Sequence, residues 1–87
     1  MPKYSIETSK QADKFMEKAP NFITVRLEEA VDNLLLNPHE GIKMQGKYEY
    51  CRRIKVSNYR IIYEVLEDKR IIRIHEIESR GNTSYDR

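Results

Sequence analysis

The stretch 53–63 constrains the fold most, because basic and apolar side chains alternate along it on both sides of Ser57-Asn58. Alternation with a period of two is typical of a β-strand that turns one face to a core, and Ser and Asn are common turn residues. The segment therefore predicts a β-hairpin in which Ser57 and Asn58 form a two-residue loop. In that register Lys55 lies directly opposite Arg60.

One face of this hairpin is basic, since Arg53 alternates onto the same side as Lys55 and Arg60. Two cations directly opposite each other destabilise a sheet, and nothing in the fold requires them. A concentrated cation patch on a rigid sheet is suited to hold an anion, and phosphate is the obvious candidate. The other face is predicted to join the core and carries Tyr50, Ile54, Val56, Tyr59, Ile61, Tyr63 and Val65.

Upstream of the hairpin the apolar spacing changes to steps of three and four, which predicts helices over 9–19 and 22–36. Thr8 and Gln11 have the spacing of a capping box at the start of the first helix. Ile23, Leu27 and Leu34 would give the second helix its buried face. Strands are expected at residues 4–8, 47–56, 59–66 and 70–77. The predicted fold is α+β in the order β-α-α-β-β-β, with an N-terminal helical hairpin packed on one face of a mostly antiparallel sheet.

Length and composition narrow the classes of protein. A chain of 87 residues is the size of one domain. Charged residues make up 34% of it and no apolar run is longer than three residues, so the sequence predicts no membrane span and no signal peptide. A lone Cys51 excludes an internal disulfide and suits a reducing cytoplasm. Residues 1–46 carry a net charge of −1 and residues 47–87 a net charge of +3, so the basic surplus lies in the half with the hairpin.

The order of elements and this hairpin resemble the RelE/ParE superfamily of toxins from type II toxin–antitoxin pairs. The resemblance covers nearly the whole chain, and it implies that residues 1–87 form a single RelE-like toxin domain. It is carried by Met44-Gln45-Gly46-Lys47-Tyr48, by the stretch 53–63, by the strand Ile71-Ile72-Arg73-Ile74-His75-Glu76-Ile77, and by Ser79-Arg80-Gly81-Asn82-Thr83-Ser84-Tyr85. RelE-like members cut messenger RNA in the ribosomal A site, whereas ParE-like members inhibit DNA gyrase.

The resemblance implies a metal-independent endoribonuclease, or mRNA interferase, that needs no cofactor and inhibits translation on the ribosome. Its catalytic positions match Lys55, Arg60, Arg80 and Tyr85, with Arg53 as a further phosphate-binding residue. It also implies a RelB-like antitoxin as partner and a cytoplasmic location. The alternatives are a ParE-like gyrase inhibitor and a toxin relative that binds RNA without cutting it.

The chemistry is consistent with these residue types. RNA is cut by its own 2′-OH when a base takes the proton, donors stabilise the phosphorane and an acid protonates the leaving 5′ oxygen. Arginine and lysine are fixed donors for the developing charge. Tyrosine is a poor base at its usual pKa of about 10, so Tyr85 fits the role only where cations lower that pKa. Arg80 and Lys55 are both candidates for the acid.

Other residues are weaker candidates for the site. Lys10 and Lys14 lie four residues apart on the first helix, where they would bind ribosomal RNA or form an ordinary solvated face. His75 suggests either acid–base chemistry or a hydrogen-bonded structural histidine, and the second is favoured. Cys51 fits a small apolar filler. Tyr48, Tyr50 and Tyr63 would either stack on bases or pack in the core, and strand parity favours the core. The histidines and the cysteine lack the spacing of a zinc site.

Overall fold

Two helices lie on one face of a five-stranded sheet in the computed structural model, which describes residues 3–79. The elements are β1 (Ser5–Thr8), α1 (Lys10–Lys18), α2 (Asn21–Leu36), β2 (Ile42–Lys43), a 3₁₀ helix (Gly46–Tyr48), β3 (Arg52–Val56), β4 (Tyr59–Leu66) and β5 (Ile71–Ser79). The predicted α+β order is confirmed, and β2 is an addition of two residues that the sequence pattern did not reveal. Within the described range, neither helix is long and apolar enough to cross a membrane.

The strands are arranged in the order β1-β5-β4-β3-β2. β1 runs parallel to β5, and the other three neighbouring pairs are antiparallel. The prediction of a mostly antiparallel sheet is therefore confirmed. β4 is the central strand of the sheet. One of its faces packs in the core, and the opposite face carries part of the candidate site.

The register of the β3–β4 hairpin is the predicted one. Lys55 pairs with Arg60, and Arg53 pairs with Ile62 across the two strands. In the loop Ser57 has a positive φ of 57°, as the first loop residue has in a type II′ turn, whose twist suits a two-residue hairpin.

The core lies between the helices and one face of β4 and β5. Tyr63, Ile61, Leu27 and Leu34 are fully buried there, and Ile23 is nearly so. These residues were predicted to be buried together. Ile54, assigned to the same set, is half-buried and packs against the cluster from β3. The helix-facing side of the sheet is therefore the apolar side that the strand parity indicated.

The start of α1 differs from the predicted capping box. Ser9, not Thr8, is the N-cap, and its hydroxyl accepts from the Ala12 N–H at 3.1 Å while donating to the His75 carbonyl at 2.7 Å. The Gln11 amide bonds both the N–H and the C=O of Ile77, each at 2.9 Å. Contacts with β5 thus replace the reciprocal local bonds that a capping box would make.

The predicted strand 47–56 was too long at its N-terminal end. A 3₁₀ turn occupies Gly46–Tyr48, and β3 begins only at Arg52. Tyr48 and Tyr50 consequently leave the strand alternation and are 52% and 54% exposed. Their assignment to the core was wrong, whereas that of Tyr63 is confirmed.

A β-bulge interrupts β5 at His75. Ile62 of β4 pairs with Glu76 while the next residue, Tyr63, pairs with Ile74, so His75 is an extra residue in β5. The buried positions of β5 accordingly shift from Ile74 to Ile77, three residues on rather than two. A bulge of this kind redirects the side chains that follow it.

A polar cluster ties the β4–β5 turn to two distant segments. The Tyr4 hydroxyl donates to Glu67 Oε1 at 2.9 Å, and His39 Nε2 lies 2.6 Å from Glu67 Oε2. The hydrogen bond with His39, followed by that from Tyr4, lowers the pKa of Glu67 below its ordinary value of 4.5. A carboxyl with a lowered pKa stabilises the fold above its unfolded pKa, and this contribution disappears as the pH falls through the folded value.

We therefore expect Glu67→Gln to lower the melting temperature modestly above pH 4.5 and to match the unmodified chain at pH values well below that. Thermal unfolding, followed by circular dichroism, measures the difference in melting temperature between the two chains. The scan covers roughly pH 2–7, which spans the titration of carboxyl groups. Asp68→Asn is the matched control, because it removes a carboxyl from the same turn without touching these two hydrogen bonds. A constant difference at every pH would contradict the expectation.

Candidate functional site

The sheet face opposite the helices, called here the open face, carries the predicted site. The paired strands set which side chains share it, because neighbouring positions in register point the same way. It carries Ile42 of β2, Arg53 and Lys55 of β3, Arg60, Ile62, Glu64 and Leu66 of β4, and Ile71, Arg73, Glu76 and Glu78 of β5. The sequence-predicted cations Arg53, Lys55 and Arg60 are therefore brought together.

These three cations line a shallow cleft of about 260 Å³ together with Ile42 and Ile54. Lys55 is exposed and Arg53 is half-buried. Within residues 3–79 neither of the two makes an ion pair or a side-chain hydrogen bond. Arg53 and Lys55 therefore keep their donors for an anion in this cleft.

Arg60 has a partner that the sequence analysis missed. Its Nη2 lies 2.5 Å and its Nε 3.1 Å from Oε1 of Glu78, and both side chains are about one-third exposed. A double contact of this kind holds the guanidinium plane in one orientation. Arg60 thus stands at the edge of the cleft, partly neutralised but fixed in place, with its remaining N–H groups available.

Charge is divided across the open face. Arg73 Nε lies 3.0 Å from Glu7 Oε1 at the β1 side, and the His75 ring bonds Glu64 through Nε2 at 2.9 Å. Glu76 and Glu78 follow on β5. The β3 side of the face is therefore cationic and the β5 side acidic, which differs from the uniformly basic surface that the hairpin alone indicated.

His75 and Cys51 occupy structural positions. His75 is hydrogen-bonded to Glu64 and its ring stands edge-on to Tyr50 at 5.9 Å between centroids, which supports the structural histidine. Cys51 is 1% exposed, and burial followed by the nearby Glu64 raises the pKa of its thiol. A protonated, enclosed thiol is a poor nucleophile, so Cys51 acts as the predicted filler.

The remaining predicted residues do not join this cluster. Lys10 and Lys14 are exposed on α1, in the helical layer on the other side of the sheet. Arg80 and Tyr85 lie outside the described residues, so their proposed catalytic roles stay predictions. Among residues 3–79 no group of three His, Cys, Asp or Glu side chains is arranged to hold a metal ion.

Comparison with known proteins identifies the fold. A family profile described as the ParE toxin of the type II toxin–antitoxin system parDE matches residues 6–83. No curated protein matches the chain in sequence.

Several solved toxin–antitoxin complexes share the architecture. The RelBE2 complex of Mycobacterium tuberculosis superposes with a TM-score of 0.80 at 19% identity, over 88% of this chain and 98% of that one. The intact RelBE complex of E. coli gives 0.77 at 20% identity, over 87% and 95%. The archaeal RelE–RelB complex of Pyrococcus horikoshii gives 0.74 at 27% identity, over 91% and 97%.

Proposed function

The chain belongs to the RelE/ParE superfamily of type II toxins, and from this premise we propose that it cleaves messenger RNA on the ribosome as an endoribonuclease. It is the toxin of a toxin–antitoxin pair with a RelE-like fold. The superfamily also contains gyrase inhibitors, so the choice of a nuclease depends on the site itself.

The observation that carries the proposal is the cationic cleft. Lys55 and Arg60 are opposite each other on adjacent strands, with Arg53 beside them. Such a pairing costs stability and is compensated only partly by Glu78. An anionic ligand that contacts all three side chains would offset the cost, and the RNA backbone supplies one phosphate per nucleotide.

The proposed reaction is an in-line transfer within RNA. The 2′-oxygen loses its proton and attacks the adjacent phosphorus, the bond to the 5′-oxygen breaks, and that oxygen takes up a proton. The products are a 2′,3′-cyclic phosphate and a 5′-hydroxyl. Arg53, Lys55 and Arg60 would donate to the equatorial oxygens as negative charge grows on them.

The two proton transfers are assigned to Tyr85 and to either Arg80 or Lys55. Tyr85 would accept the 2′ proton, a role that requires cations close enough to lower the pKa of its phenol, and Arg80 or Lys55 would protonate the leaving oxygen. Neither histidine is assigned these roles, because the cationic cleft is lined by Ile42, Arg53, Ile54, Lys55 and Arg60 and by no histidine. Such a sparse apparatus fits an enzyme whose substrate is positioned by a second body, here the ribosome.

The proposed partners follow from the same surface. Solved relatives are complexes of RelE with RelB, and we propose a RelB-like antitoxin that contacts or displaces elements around the open face. Lys10 and Lys14, exposed on α1, would bind ribosomal RNA phosphates. A toxin that acts on translating ribosomes would work in the cytoplasm.

A gyrase inhibitor is the second candidate, and the match to the ParE profile favours it. A gyrase binder has no need of a phosphate-binding cleft or of a base. The two candidates therefore predict opposite results for variants that alter only those groups.

Primer extension on messenger RNA in a translating extract tests the proposal. Addition of the purified chain should give new 5′ ends within codons, and addition of the antitoxin should suppress them. Arg80→Ala should lower the cleavage rate by about 10²–10³, and Tyr85→Phe by a comparable factor if the phenol is the base. Full activity of Tyr85→Phe would remove that residue from the mechanism. No cleavage, together with inhibition of gyrase supercoiling, would establish the ParE-like function instead.

A further inference from the structure

A second pocket lies on the open face beside the cationic cleft. Ile62 of β4 is 93% buried, that is 7% exposed, although it points away from the helices. The segment between β2 and β3 covers Ile62. Ile62 and three residues of that segment, Tyr48, Tyr50 and Cys51, line a pocket of about 270 Å³. The pocket therefore has an apolar floor and an aromatic wall.

The two tyrosines of this wall lie beside each other, and Tyr50 also meets the edge of the His75 ring. Their ring centroids are 6.5 Å apart with planes inclined by 40°, and more than half of each side chain is exposed. Exposed aromatic faces beside an apolar floor are the surfaces on which unpaired bases stack in proteins that bind single-stranded RNA. A neutral, flat ligand is therefore suited to the pocket.

The rim of the pocket is acidic, so it repels phosphate and favours a ligand that donates hydrogen bonds. Glu76 and Glu78 both line it, and Glu78 is occupied by Arg60. The carboxylate of Glu76 makes no side-chain hydrogen bond or ion pair with any other of residues 3–79. An ionised carboxylate only accepts hydrogen bonds, so Glu76 would receive an N–H group of the ligand.

Arg60 connects the two sites, because it lines both the pocket and the cationic cleft. A nucleotide has the matching polarity, with an anionic phosphate at one end and a neutral base at the other. We infer that the pocket binds one base of the RNA substrate, and that Glu76 selects a base with an exocyclic amino group over uracil. This inference rests on the proposed function and names the feature of the substrate that the same site recognises.

The physical basis of the selection is the pattern of donors on each base. Cytosine, adenine and guanine carry amino groups that donate to a carboxylate. Uracil carries the carbonyl oxygen O4 where cytosine carries its amino group, and this oxygen repels Glu76; the one donor of the uracil ring, N3–H, lies between two carbonyl oxygens. The phenol of Tyr50 is neutral near pH 7, because the ordinary pKa of tyrosine is about 10 and partial desolvation raises the pKa of Tyr50 further.

Binding of two matched oligonucleotides tests the inference without cleavage. Tetramers of 2′-O-methylcytidine and 2′-O-methyluridine lack the attacking hydroxyl, are of nearly equal size and differ chiefly in the amino group. We expect the full chain, followed by NMR of its backbone amides, to bind the cytidine tetramer about tenfold more tightly, the effect of one good base contact. Glu76→Gln should bring the ratio close to one, because an amide both donates and accepts.

Two further variants separate selection from general effects. Glu17→Gln removes the same charge from an exposed position on α1 and should keep the tenfold ratio. Tyr50→Leu should weaken both tetramers while leaving the ratio unchanged, and the NMR spectrum of each variant reports whether the fold is intact.

The possible failures are distinct. Equal binding of both tetramers, lost in Lys55→Ala, would overturn base selection and leave the phosphate-binding cleft in place. Absence of binding to either tetramer would overturn the base pocket and the cleft together. A clear preference for cytidine in a chain that fails to cut messenger RNA would support the pocket and overturn the nuclease.

Discussion

Arg60→Ala is expected to lower the rate of messenger RNA cleavage by about 10²–10³, the usual effect of removing one donor aimed at developing charge. The guanidinium lines the cleft and is held by Glu78 at 2.5 Å, so its donors are directed before the substrate arrives. Primer extension under single-turnover conditions measures the rate. The melting temperature should change only slightly, because Arg60 is one-third exposed and lies outside the core.

Two control variants separate a direct role of Arg60 from indirect effects of its removal. Arg73→Ala removes an arginine from the same face at its β1 side, where Glu7 is the partner, and should leave the rate nearly unchanged. The double variant Arg60→Ala/Glu78→Gln removes the carboxylate that the single variant leaves unpaired. Recovery of activity in the double variant would show that the loss came from Glu78 repelling phosphate, and would contradict a direct role for Arg60.

Tyr63→Phe is expected to destabilise the fold strongly although it removes a single oxygen. The hydroxyl is fully buried, donates to the Pro38 carbonyl at 2.8 Å and accepts from the Gly41 N–H at 2.9 Å. Burial raises the pKa of Tyr63, so the phenol keeps the proton that it donates. Each buried group left without a partner costs about 1–3 kcal/mol, which for a domain of this size lowers the melting temperature by about 4–8 °C per kcal/mol.

The same two bonds connect stability with the site. They hold the loop before β2 against Tyr63 of β4. The approach is so close that a Cβ on Gly41 would lie 2.6 Å from the Tyr63 hydroxyl and 2.8 Å from the Arg53 carbonyl of β3. Tyr4→Phe is the matched control, since its hydroxyl bonds an exposed carboxylate and should cost far less. Equal melting temperatures for Tyr63→Phe and Tyr4→Phe would contradict this account.

The hairpin and the core faces could be predicted from local patterns. A two-residue loop leaves one register for the strands beside it, so the pairing of Lys55 with Arg60 follows from Ser57-Asn58 alone. The spacing of Ile23, Leu27 and Leu34 likewise identifies the buried face of α2. These features depend on interactions between residues close in sequence or on a simple period, which a pattern records.

The acidic half of the open face could not be predicted in this way. Strict alternation from Arg73 would have placed Ile77 on the open face and Glu78 on the core face, but the bulge at His75 exchanges them. The bulge gives Arg60 its partner and brings Glu76 to the rim of the second pocket. No turn residue marks it in the sequence, because it depends on how β5 packs against β4.

Tertiary contacts also determined the ends of two elements. Gln11 bonds the backbone of β5 in preference to its own helix, and the residues before β3 fold over Ile62 instead of extending the strand. In each case a partner distant in sequence satisfies a polar group or covers an apolar one better than the local structure would. Local propensity sets where a hairpin turns and which face of a helix is apolar, while competition among distant partners sets where elements stop and which charges meet.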